Sequence, residues 1–100
     1  MKELTDQQKI ILHSAIIQHG TKKQILKAIE ELSELTRELA RELTDERNHE
    51  NTIDEIADVE IMIRQVKMIL GKNTETKVNE RIDFKIGRLD ERLKTARKFN

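Results

Sequence analysis

Cysteine and proline are both absent from this chain of 100 residues, and glycine occurs only three times. Without cysteine there is neither a disulfide nor a thiolate metal site, and a cytoplasmic location is the expectation. Without proline, little in the chain interrupts long helices. Tyr and Trp are missing as well, which leaves Phe84 and Phe99 as the whole aromatic complement. Any core must be made of Ile and Leu, and so short a helical chain buries a thin one, which favours completion by a second copy. Nor is there an excess of charge, since Lys+Arg and Asp+Glu balance at 19 each. A nucleic-acid coat or a basic membrane-surface peptide needs a positive excess, so neither a nucleic-acid polymer nor a membrane is the expected partner. No apolar run approaches the ~20 residues of a membrane span, and residues 1–9 lack the apolar centre of a signal peptide.

What remains is rich in Glu, Lys, Leu, Ile and Arg, the composition of long helices. Three segments read as capping boxes: Thr5 with Gln8, Thr21 with Gln24, and Thr52 with Glu55. Gly20 and Gly71 stand where helices should stop, because glycine takes up a left-handed conformation cheaply. The expected organisation is a single helical domain over residues 1–100, with four helices at about 4–19, 21–46, 52–70 and 74–98 and a polar loop at 47–51. Apolar residues recur at alternating threes and fours: Ile25, Ala28, Leu32, Leu35, Leu39 and Leu43; then Ile56, Val59, Ile63, Val66 and Leu70; then Val78, Ile82, Ile86, Leu89, Leu93 and Ala96. Such stripes suit long antiparallel helices in a bundle, here completed by oligomerisation. Gly87 interrupts the fourth helix, either to let another helix or a ligand approach closely or as a tolerated surface glycine.

The carboxylates carry the chemical information. Residues three apart on a helix share a face, so Glu31 and Glu34 form one pair and Glu55 and Asp58 another. If the second and third helices are neighbours, the two pairs converge. Four carboxylates in a partly dry site repel one another, and a hard divalent cation relieves that repulsion. Glu55 and Asp58 also share their sector with Met62 and Ile69, where acidic groups need compensation. The competing reading has Glu55 closing a capping box with Thr52 and Asp58 favouring the positive helix N-terminus. For Glu30, Glu31 and Glu34, the competing reading is a solvated face.

The block Glu30-Glu31-Leu32-Ser33-Glu34, a spacer from Leu35 to Asp54, and the block Glu55-Ile56-Ala57-Asp58 resemble the E-E-x-x-E…E-x-x-D signature of the MazG-like, all-α nucleoside triphosphate pyrophosphohydrolases. Lys27-Ala28-Ile29 ahead of the first block and Val59-Glu60-Ile61-Met62-Ile63 after the second match as well. The resemblance covers about residues 24–70 and is greatest to the small phage-type members. It implies Mg²⁺-dependent cleavage of a nucleoside triphosphate to monophosphate and pyrophosphate, with Mn²⁺ as a substitute. The implied metal ligands are Glu31, Glu34, Glu55 and Asp58, with Glu30 supporting them or positioning the attacking water. Basic side chains for the phosphates would be Lys27 and, from the last helix, Lys85, Arg88 and Arg92, with Arg81 one turn before; alternatively these form a charged surface balanced by Asp83, Asp90 and Glu91. The implied assembly is a dimer or tetramer.

The lack of Tyr and Trp leaves no obvious group to stack on a base, apart from Phe84. His13, His19 and His49 have no zinc-ligand spacing, and His49 reads as a loop histidine or a phosphate contact. Neither a glycine-rich phosphate loop nor a nucleophilic triad is present. Two other classes remain: a helical oligomeric interaction protein without enzymatic activity, and a narrow-specificity relative resembling dimeric dUTPases or phosphoribosyl-ATP pyrophosphohydrolases.

Overall fold

The computed structural model describes residues 1–98, so Phe99 lies outside the described residues. The chain is all-α: α1 (Asp6–His19), α2 (Thr21–Glu42), α3 (His49–Leu70) and α4 (Thr74–Lys98). There is no strand among the described residues. It comprises two units, Met1–Leu70 and Gly71–Asn100.

Local chemistry explains the helix boundaries, and it departs from the sequence expectation at two of the three caps. The capping box at α1 forms as expected: the Gln8 amide donates to Thr5 Oγ1 at 3.1 Å, and the Thr5 amide donates to Gln8 Oε1 at 3.0 Å. At α2 it does not. Gly20, at φ 90°, makes the turn between α1 and α2, and no side chain caps the helix. Gln24 instead turns inward. At α3 the helix starts three residues earlier than expected, at His49, where the Asn48 side chain accepts the Asn51 amide at 3.3 Å. Thr52 is therefore inside the helix. α2 stops at Glu42 because the chain tightens at once: the Thr44 amide and hydroxyl both donate to the Arg41 carbonyl, at 2.9 and 2.7 Å.

In the first unit α2 packs along α3, and α1 packs on both. The line of α2 that is buried or half-buried runs through Gln24, Ala28, Glu31, Leu35, Glu38 and Glu42; that of α3 runs through Thr52, Glu55, Val59, Met62 and Gln65. The α2 seam shares Ala28 and Leu35 with the apolar stripe expected there and elsewhere lies one position before it. Ile25, Leu32, Leu39 and Leu43 are 38, 47, 50 and 89% exposed. Polar residues share the seam, and those at its two ends bond one another. Gln24 Nε2 donates to Gln65 Oε1 at 3.0 Å, and Gln65 Nε2 donates to the Leu12 carbonyl at 3.0 Å, tying all three helices together. At the other end, the Thr52 hydroxyl donates to Glu42 at 2.6 Å. Arg64 adds a bond to the Lys2 carbonyl. Among the described residues, the buried apolar side chains are Ala28, Val59 and Met62.

The second unit holds α4. It runs unbroken through Gly87, and a methyl group added there would meet nothing within 4 Å. None of its described residues is buried.

Candidate metal centre

Midway along the α2–α3 seam, the spacing of Glu31 and Glu34 puts both carboxylates on the side of α2 that meets α3. Glu55 enters from α3. One carboxylate oxygen from each of the three lies within 4.8 Å of the others, and all three residues are half-buried. Oε2 of Glu31 and Oε2 of Glu55 are shut off from solvent with no hydrogen-bond donor among the described residues. A desolvated carboxylate oxygen without a donor is costly. Oε2 of Glu38, further along the same side of α2, is in the same state.

The electrostatics follow from that arrangement. Burial pushes the Glu31 carboxyl up to about 7, and the charges of Glu34, Asp58 and Glu55 push in the same direction. Burial likewise raises Glu55, reinforced by Glu34 and Asp58. Each negative charge disfavours the next, so without a cation the cluster holds a proton to higher pH than a free carboxylate does, and a hydrogen bond between Glu31 and Glu34 acts in the same direction.

Of the residues singled out by sequence, the structure joins Glu31, Glu34 and Glu55. Asp58 is exposed and outside that trio, yet near enough to raise both Glu31 and Glu55. Glu30 faces away from the cluster, beside Lys27, Lys23 and His19 around a shallow surface depression. Lys27 is exposed there with it. Lys85, Arg88 and Arg92 are exposed positions of α4, whereas the cluster is built wholly from the first unit. Arg81 and Arg88 flank the Phe84 ring, with guanidinium carbons 4.8 and 5.9 Å from its centre.

The early start of α3 changes the reading of Glu55 and Asp58. Thr52 caps nothing: its hydroxyl binds Glu42 and the Asn48 carbonyl. Glu55 is thus released from a capping box and turned toward Glu31 and Glu34. Asp58 stands more than two turns into α3, beyond the reach of the helix N-terminus.

Two carboxylates that the sequence did not single out support this seam. Glu38, one turn beyond Glu34, is only 4% exposed, and Arg41 holds one of its oxygens at 3.3 Å. Glu42 accepts from Thr52 and contacts His49 Nδ1 at 2.8 Å, and these bonds hold its carboxyl below its usual value. His49 therefore opens α3 instead of sitting in the loop. The signal was present: residues 24, 28, 31, 35, 38 and 42 alternate in fours and threes, but as a polar line beside an apolar one.

No family model matches the chain, and no curated protein and no solved structure matches it either. No helix among the described residues is long and apolar enough to cross a membrane.

Proposed function

We propose that the chain is a Mg²⁺-dependent nucleoside triphosphate pyrophosphohydrolase of MazG-like type, with the carboxylates of Glu31, Glu34 and Glu55 as its metal centre. The observation that carries this reading is the pair of desolvated, donor-less oxygens on Glu31 and Glu55 within a cluster of three carboxylates. All the donors are hard oxygens, the set that suits Mg²⁺ or Mn²⁺. Oxygens on opposite sides of an octahedral Mg²⁺ are roughly 4.2 Å apart, from Mg–O bonds of about 2.1 Å. The oxygens of the cluster all lie within 4.8 Å of one another, close enough for small side-chain movements to reach that geometry. The resemblance in sequence adds Asp58 as a fourth ligand, and its position beside Glu55 on α3 supports that role.

When bound, Mg²⁺ supplies positive charge to the triphosphate oxygens and lowers the pKa of a water. The chain's own part is to hold Glu31, Glu34 and Glu55 on two packed helices, so that little reorganisation is needed. A carboxylate of the site takes the proton of the attacking water, and Asp58 at the rim helps to orient it. The resemblance in sequence alone assigns Lys27, Lys85, Arg88 and Arg92 to the phosphates. The bonds Gln24–Gln65 and Glu42–Thr52 support an antiparallel α2–α3 pair. The exposed stripe Ile25, Leu32 and Leu39 supports its completion by another copy in a cytoplasmic homo-oligomer.

The test is a panel of canonical and deaminated NTPs and dNTPs, assayed for pyrophosphate with Mg²⁺, with Mn²⁺ and with EDTA. Metal-dependent release from at least one nucleotide is expected, and it should be lost in Glu31→Gln. A panel without product at any metal concentration would leave a non-enzymatic helical assembly as the better reading.

A further inference from the structure

α4 is a single helix of 25 residues whose apolar side chains are open: Ile82, Ile86, Leu89 and Leu93 are 46, 60, 51 and 50% exposed. A lone amphipathic helix gains little from such a stripe unless something covers it. The positions Asn79, Ile82, Ile86, Leu89, Leu93 and Ala96 follow one another at three, four, three, four and three. This is the a/d seam of a coiled coil, with Asn79, Ile86 and Leu93 at a, and Ile82, Leu89 and Ala96 at d. On one flank, Asp83, Asp90 and Arg97 fall at e; on the other, Lys85 and Arg92 fall at g. All five are exposed.

We infer that α4 pairs in parallel and in register with the α4 of a second copy of this chain. Two independent features choose that occupant and that direction. In a parallel pair each g residue meets the e residue five positions on in the other helix, which sets Lys85 against Asp90 twice over and, at the end of the helix, Arg92 against Arg97, so that attraction offsets repulsion. An antiparallel pair sets e against e and g against g, placing Asp83 against Asp90 and Lys85 against Arg92, both repulsive. Asp90 holds Lys94 within the helix by one carboxylate oxygen, at 3.1 Å, and has a second for this contact. The other feature is Asn79. Parallel, in-register pairing puts the two Asn79 amides in one layer, where they hydrogen-bond each other; antiparallel pairing puts Asn79 opposite the Ala96 layer, where its amide has no partner. Gly87, at an outward b position, does not enter the seam.

This inference extends the proposed self-assembly without resting on the metal centre. The chain has no cysteine, so single cysteines can be introduced into the full protein with no background. Ile82→Cys and Ala96→Cys, oxidised separately, should each give a covalent dimer on a non-reducing gel, while Glu91→Cys, on the opposite side of α4, should stay monomeric. No dimer from either seam position, a dimer only when Ile82→Cys and Leu93→Cys proteins are mixed, or equal dimer from Glu91→Cys would overturn the inference. A charge exchange gives a second reading that does not depend on oxidation. Asp90→Lys should weaken the dimer in sedimentation, and adding Lys85→Glu should restore it. If Asp90→Lys alone strengthened the dimer, the helices would be antiparallel and the inference wrong. Neither readout needs nucleotide or metal, so a failure here is distinct from a failure of the pyrophosphohydrolase reading.

Discussion

Glu31 is the residue on which the acidic site turns, because its burial and its neighbours oppose its ionisation together. Its carboxyl is raised to about 7 in the folded chain, from the 4.5 of an unperturbed glutamate. Between those values the folded state holds a proton that the unfolded state has lost. Stability from this group is therefore fully present below about pH 4.5 and is lost as pH rises toward 7. Glu55, shifted in the same direction, acts with the same sign. Metal-free protein should accordingly melt lower at pH 7.5 than at pH 5.5, and Glu31→Gln, which mimics the protonated form, should flatten that difference. Equal pH dependence in wild type and Glu31→Gln would mean that the group does not titrate in this window. Asp58→Asn should reduce the Mg²⁺ response less than Glu31→Gln does, since Asp58 is outside the trio; isothermal titration with Mg²⁺ separates the two. At this scale the sequence put Glu31 and Glu34 on one face, because i and i+3 spacing fixes it, whereas the same spacing did not bring Asp58 into the trio with Glu55. It misled over Thr52 and Glu55, because a capping box is a local pattern and the tertiary bond from Thr52 to Glu42 overrode it.

Helix existence was legible throughout, since the alternation of threes and fours, and the glycines at 20 and 71, mark elements without reference to their neighbours. Helix ends were less so. The start of α3 depends on Asn48, and the end of α2 on Thr44, single polar side chains that compete with other candidates nearby. The face of α2 was the larger difference. Hydrophobic patterning points to Ile25, Leu32 and Leu39, yet the helix turns Gln24 and Glu38 inward, where Gln24 pairs with Gln65 and Arg41 holds one oxygen of Glu38. Two glycine variants test the element-level account with opposite signs. Gly87→Ala should stabilise α4 by about 0.5–1 kcal/mol, since the position is helical and open. Gly20→Ala should destabilise the chain by about 1–2 kcal/mol, since its φ of 90° strains any residue with a Cβ. Urea melts followed by circular dichroism at 222 nm (the standard helix signal) read both.

For the whole molecule, the balance between a polar internal seam and apolar outer stripes decides how the chain is stabilised. Buried apolar residues in the described chain are few and small in total, and a core of Ala28, Val59 and Met62 supplies little hydrophobic stabilisation. The exposed Leu32 and Leu39 should then be covered in an assembly, and Leu32→Glu should shift light scattering toward the monomer and lower the melting temperature. The central claim, that Glu31, Glu34 and Glu55 form a divalent-cation site, is tested without any substrate. Wild type and Glu31→Gln are melted in EDTA and in Mg²⁺ at matched ionic strength. An ion that binds only the folded form stabilises it by about 2.7 kcal/mol at roughly 100 times its dissociation constant, a melting shift on the order of 10 °C for a chain of this size. The expected result is that shift in wild type, little or none in Glu31→Gln, and a variant at least as stable as wild type in EDTA. The same Mg²⁺ shift in both proteins would contradict the account.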